Sequence, residues 1–200
     1  MKNIYVIIGK SLSGKTTLLN ELIKERPNKI RQLVTTTTRP QRKEENGTEY
    51  HFIEQDDYDP ERAIAPRVYK VTNQAQEYWT YFLDAQELKN FENDSKYDTA
   101  IMIIDYQGYL DLEKYVDRHT DIKIQGIYLD TDLITRLHRY LSTERQNDDA
   151  KETLRRLYKD EFTDFKSLDQ LTPAQRLNDH KIHSFKDTQS ALDYLLEVVK

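Results

Sequence analysis

Gly9-Lys10-Ser11-Leu12-Ser13-Gly14-Lys15-Thr16 matches the pattern G-x-x-x-x-G-K-[ST], and the residues on either side supply the context that pattern needs. Before it, Ile4-Tyr5-Val6-Ile7-Ile8 is a short β-branched run that reads as a buried strand. After it, residues 17–23 are apolar at Leu18, Leu19, Leu22 and Ile23, the spacing of a helix. Strand, glycine-bearing turn and helix N-terminus together form a phosphate cradle, in which backbone N–H groups and the positive end of the helix dipole face the anion. Lys15 is expected to reach the terminal phosphates and Thr16 to offer its hydroxyl to a magnesium ion. Residues 9–17, from Gly9 through Lys10, Ser11, Leu12, Ser13, Gly14, Lys15 and Thr16 to Thr17, are therefore the expected ATP-binding stretch.

Two hundred residues suffice for one well-buried domain with room for a small lid or insert. A formal net charge of −5 gives no global basic field for nucleic acid or a membrane surface, so neither is an expected partner. The absence of cysteine removes disulfide and thiol chemistry and fits a cytoplasmic setting. Five apolar residues near the start are too few for a signal peptide or a membrane span. The five histidines lack metal-ligand spacing, and His180 and His183 read as surface or packing residues.

The first helix is expected to stop near Arg26, ahead of Pro27, and residues 30–36 read as a second strand. There follows Thr35-Thr36-Thr37-Thr38-Arg39-Pro40-Gln41-Arg42, then Glu44, Asn46-Gly47 and Tyr50-His51-Phe52. Two arginines three apart can fork around one phosphate, with the hydroxyls of Thr35 and Tyr50 completing the shell. This threonine-arginine run behind a P-loop resembles guanylate kinase, a P-loop nucleoside monophosphate kinase. The resemblance implies that the segment opens a separate lobe holding the acceptor, guanosine monophosphate. The interval from Arg42 to Tyr50 is one residue shorter than the family's.

Residues 54–62 look like the short helix that follows in that family, and residues 67–72 and 76–83 read as strands of the small lobe. The family closes this region with Tyr-Gly-Ser/Thr. Here Tyr81-Phe82-Leu83 keeps the tyrosine and lacks the hydroxyl, and Glu77 stands at the wrong spacing to replace the family's acidic residue. Asp84 is a natural cap for a helix over 85–93. Residues 99–105 are a further buried strand ending in Asp105, and Asp105-Tyr106-Gln107-Gly108 resembles the family's Asp-x-Gln-Gly, with Ile103 where a second acid often stands. An acid at the carboxyl end of a parallel strand beside a P-loop can hold magnesium or orient the acceptor, and a helix cap is its other reading.

A helix over 111–116, a strand over 122–129 and a helix beginning at Asp130-Thr131-Asp132 come next. The polar break Gln146-Asn147-Asp148-Asp149 separates it from a helix starting near Ala150. Helix, polar tip with arginines and second helix resemble the lid of nucleoside monophosphate kinases. The resemblance places Arg145 and Arg156, together with Arg136 and Arg139, over the transferring phosphoryl group, where fixed cations stabilise the spreading negative charge. Beyond Pro173 the chain is expected to finish with a strand near 180–184 and a helix over 187–200.

The expected architecture is an α/β fold, a P-loop NTPase-type parallel sheet with helices on both faces. The core covers about 1–36, 96–135 and 157–200, a small mixed α+β lobe about 37–95 and a lid about 136–156. The resemblance implies an enzyme, monomeric or homodimeric, that moves the γ-phosphoryl group of magnesium-ATP to GMP. Lys15, Arg136, Arg139, Arg145 and Arg156 would then be catalytic, with Thr35, Arg39, Arg42, Tyr50, Tyr81 and Asp105 on the acceptor and Thr16 and Asp105 on Mg2+. A kinase for another nucleotide or a phosphorylated metabolite, and a non-catalytic interaction module of the same fold, are the alternatives.

Overall fold

The computed structural model describes residues 1–41, 50–70, 78–142 and 150–199. Its centre is a five-stranded parallel sheet in the order β2-β7-β1-β8-β9. These strands are β1 (Asn3–Gly9), β2 (Ile30–Gln32), β7 (Thr99–Ile103), β8 (Lys123–Leu129) and β9 (Ile182–Phe185). Strand β1 is central and apolar on both faces, because helices cover both sides of a parallel sheet. Ile4, Val6 and Ile8 face Tyr109, Leu112 and Val116 of helix α3 (Tyr106–His119) in one core cluster. Tyr5 and Ile7 join the other cluster with Leu18 and Leu22 of α1 (Lys15–Glu25) and Leu192 and Leu195 of α8 (Thr188–Val198).

A second sheet, in the order β4-β3-β6-β5, forms the small lobe. Its strands are β3 (Thr35–Thr37), β4 (Tyr50–Phe52), β5 (Ala63–Lys70) and β6 (Tyr78–Asp84). The single strand expected over 30–36 is thus two. Residues 30–32 pair with β7 of the main sheet, Leu33 donates its N–H to Ile101 O at 2.9 Å, and residues 35–37 pair with β6 of the small one. The helix expected over 54–62 is only a 3-10 turn, Gln55–Asp57, stopped ahead of Pro60. Helix α2 (Ala85–Glu92) starts at the expected Asp84 cap, whose side chain accepts the Gln86 N–H.

On either side of the stretch expected as a lid stand α4 (Leu133–Ser142) and α5 (Ala150–Lys159). The second does not continue as one helix. It passes into a π-helical turn, Asp160–Asp164, and the short α6 (Lys166–Asp169). Helix α7 (Pro173–His180) was not expected, although Thr172-Pro173-Ala174-Gln175 is a full capping box with proline at its start. Among the described residues no helix is long and apolar enough to cross a membrane.

Candidate active site

The turn after β1 carries two glycines where an added side chain would have to displace a neighbour. A Cβ on Gly9 would come within 2.5 Å of Ser13 Oγ, and Gly14, at φ +103°, would press one to 2.7 Å from Thr188 Oγ1. Gly14 has no side chain to cap α1, so the helix presents its first N–H groups bare at the turn. Lys15 folds back over the loop and donates to Gly9 O at 2.8 Å and Lys10 O at 3.0 Å. Burial pulls its pKa from 10.5 down to about 8, with Asp160 working to raise it and Arg136 to lower it. The hydroxyl of Ser13 is buried and has no partner among the described residues, and Thr16 and Thr17 are exposed beside it.

Helix α4 brings two of the expected arginines to this loop. Arg139 donates to Leu12 O at 3.0 Å. Arg136 is fully buried, donating through Nε to Thr131 O at 3.2 Å and through a terminal nitrogen to Ser11 O at 3.4 Å. Its other terminal nitrogen pairs with Glu161. Arg136 is thus held against the loop from within the protein. Arg156 lies on α5, four residues ahead of Asp160. Arg42 and Arg145 lie outside the described residues.

Carboxylates from the π-helical turn, which the sequence reading missed, stand at the mouth of the loop. Asp160 accepts the Ser11 N–H at 2.6 Å, and Lys10 pairs with Glu161 at 2.9 Å and Asp169 at 2.7 Å. A wider i→i+5 turn shifts the register of the helix, and it aims two adjacent acids at one place. Sequence alone offers no signal for such a turn.

In the small lobe, Arg39, Tyr50 and Tyr81 do come together. Arg39, 4% exposed, donates through Nε to Tyr81 OH at 3.1 Å and to Pro40 O at 2.9 Å, and lies over the rings of Tyr50 and Phe52. Tyr50 and Tyr81 meet edge to face with centroids 5.6 Å apart. Thr35 is buried at the edge of the lobe, and Leu83, where the family pattern has a hydroxyl, is fully buried apolar core. Asp105 caps α3, its Oδ1 accepting the Gly108 N–H at 2.6 Å, while Oδ2 accepts from Tyr69 OH at 2.6 Å and Arg67 Nε at 3.2 Å. Both carboxylate oxygens accept bonds within the protein, and Thr16 is exposed beside the loop. No group of three or more His, Cys, Asp or Glu side chains able to hold a metal occurs among the described residues. A magnesium ion here would be held by Thr16, substrate phosphate oxygens and water, the usual arrangement for this ion.

The family model for guanylate kinase matches residues 1–109, more than half of the chain. The chain belongs to the guanylate kinase family. Guanylate kinase of Protochlamydia amoebophila is 30% identical over 112 residues, covering 56% of this chain and 54% of that protein. That of Neisseria gonorrhoeae is 36% identical over 107 residues, covering 53% of this chain and 49% of the relative. The chain thus spans about half the length of the curated relatives it matches. The crystal structure of guanylate kinase from Anaplasma phagocytophilum superposes over 98% of this chain and 84% of its own, with a TM-score of 0.58 and 17% identity, which shows the guanylate kinase fold. The family-model match ends at residue 109, and the structural likeness extends over both halves of the chain.

Proposed function

We propose that this protein is a nucleoside monophosphate kinase that transfers the γ-phosphoryl group of magnesium-ATP to GMP. The observation that carries the reading is the pairing of two anion sites on one scaffold. One is the P-loop, with Lys15 and the bare N-terminus of α1, and the other is the cluster of Arg39 with Tyr50 and Tyr81. An acceptor phosphate oxygen attacks the γ-phosphorus, the bond to the β-phosphate oxygen breaks, and ADP leaves. Positioning and charge neutralisation supply most of the rate for such a transfer, so no general base is required.

In this reading the loop amides, Lys15 and Thr16 with Mg2+ hold the donor, and Arg39, Arg42, Tyr50 and Tyr81 hold the acceptor phosphate. Arg139, Arg145 and Arg156 neutralise the moving group as the lid arms close, which excludes water and limits wasteful hydrolysis. Arg136 acts by fixing the loop. The enzyme works in the cytoplasm, where its nucleotides are drawn from the cell's pool, as a monomer or homodimer. The test is a coupled assay of ADP release with magnesium-ATP and each of GMP, dGMP, AMP, UMP and CMP. Rapid turnover with GMP and dGMP is expected. Turnover confined to another acceptor would replace guanine, and ATP binding with no turnover on any acceptor would refute the kinase.

A further inference from the structure

A cleft of about 390 Å³ opens between the small lobe, the N-terminus of α3 and the π-helical turn with α6, and no residue role stated so far explains it. Arg67 and Tyr69 reach it from β5. Two residues apart on a strand, they share a face. Asp105 faces them and is saturated by the Gly108 N–H, the Tyr69 hydroxyl and Arg67 Nε. Burial and Asp105 hold the Tyr69 hydroxyl protonated, so it remains a donor. Burial opposes the charge on Arg67, but Asp105 and Tyr69 outweigh it and the guanidinium is held firmly cationic. Asp105 is thus an orienting group. It takes Nε of Arg67, Tyr69 bonds the same guanidinium, and three of the five N–H donors of that group remain on a residue that lines the cleft.

The remaining lining selects what those donors can meet. Gln107 and Asp111 stand one turn apart on α3, bonded to each other at 3.3 Å, and Thr163 and Ser167 add hydroxyls from the opposite wall. Asp164, also in the lining, is paired with Lys159 at 3.2 Å. Asp111, with Lys114 3.9 Å away, and Asp164 set acceptors opposite the Arg67 donors. A neutral planar ligand with two acceptors on one edge and N–H donors on the next satisfies both sides. The cleft also adjoins the proposed acceptor-phosphate cluster, since Arg67 pairs with Tyr81 in the β5–β6 register and the rings of Tyr69 and Tyr81 are 5.5 Å apart.

Resting on the kinase reading above, we infer that Arg67, oriented by Asp105 and Tyr69, reads the O6/N7 edge of the acceptor guanine, with Asp111 accepting from its N1–H and 2-amino edge. A guanidinium fork matches that acceptor pair, whereas adenine turns a 6-amino donor toward the same donors. Arg67 is then a specificity-determining binding residue, and Asp105 and Tyr69 are positioning residues.

The experiment compares GMP, AMP and 7-deaza-GMP, in which N7 is a carbon, on the wild type, Arg67→Gln, Arg67→Lys and Tyr69→Phe, with kcat and KM measured separately for acceptor and ATP. In the wild type 7-deaza-GMP should be about tenfold poorer than GMP in kcat/KM. Arg67→Gln should raise the KM for GMP by about 10- to 100-fold, leave the KM for ATP unchanged and abolish the difference between GMP and 7-deaza-GMP. Tyr69→Phe should raise the KM for GMP less, with kcat retained. Should Arg67→Gln fail to fold, as judged by urea unfolding, Arg67→Lys keeps the charge without the fork and should show the same loss of N7 discrimination. Equal use of GMP and 7-deaza-GMP by the wild type, or an unchanged KM for GMP in Arg67→Gln, overturns the inference while leaving the kinase intact. No turnover of any acceptor by the wild type overturns the kinase reading itself.

Discussion

Replacing Lys15 with methionine removes the one ammonium that the P-loop encloses, and the consequence depends on pH with a definite sign. The ammonium sits between Gly9 O and Lys10 O, and burial lowers its pKa from 10.5 to about 8. Between those two values the folded chain carries a neutral amine while the unfolded chain still carries the ammonium. The unfolded state then binds more protons, so stability rises with pH across that window. The cost of enclosing the charge is fully present below pH 8 and gone above 10.5. The interval from 8 to 10.5 corresponds to about 3 kcal/mol. Methionine has a similar length and no charge, so Lys15→Met lacks this dependence altogether. The stability of the wild type minus that of the variant should therefore climb by about 3 kcal/mol from pH 7 to pH 10.5, because the other titrating groups cancel in the difference. Urea unfolding of both proteins at half-unit pH steps measures it. A difference that stays flat, or falls as pH rises, refutes the assignment of Lys15 as a buried and destabilised cation. The functional counterpart is a loss of about 10²- to 10³-fold in kcat for the variant, together with a wild-type KM for ATP that rises above about pH 8 as the lysine loses its proton.

Two further substitutions test the acids and the arginine around the same loop. Asp160 and a substrate phosphate compete for the Ser11 N–H and repel each other, so Asp160→Asn should tighten magnesium-ATP binding by about fivefold, and calorimetry showing unchanged or weaker binding would count against that competition. Arg136→Met should cost about 3 kcal/mol of stability by taking the buried guanidinium from Glu161, which keeps only Lys10 among the described residues, and Arg136→Met with Glu161→Gln should recover part of it; an equal loss in the double variant, measured by denaturant unfolding, would rule out the pair as the source.

Much of the fold is legible because its signals are local. The β-branched run of β1, the glycines at 9 and 14 and the helical period of α1 each act through neighbours in the chain, as do the caps at Asp84 and Asp105. Helix α7 has an equally local signal in its Thr172–Gln175 box. The division of residues 30–37 between two sheets was not legible, since a strand's residues do not say which partner edge will accept them. Nor was the break at Asp160–Asp164. A π-turn is a register shift inside a helix, held by what its side chains find in space.

The candidate site divides the same way. Lys15 and Thr16 are expected at phosphate from the P-loop pattern itself, and Arg39, Tyr50 and Tyr81 from the resemblance to guanylate kinase. What each arginine does depends on distant partners. Thr131, Ser11 and Glu161 converge on Arg136 from three parts of the chain, and Asp105, 38 residues away, holds the Nε of Arg67. The sequence by itself determined that a strand, a glycine turn and a helix would build an anion cradle, since backbone sterics and the helix dipole act over a few residues. Only the tertiary structure decided which acceptors each cation meets within the protein, because a charge is committed by whatever acceptor the fold brings within hydrogen-bond distance.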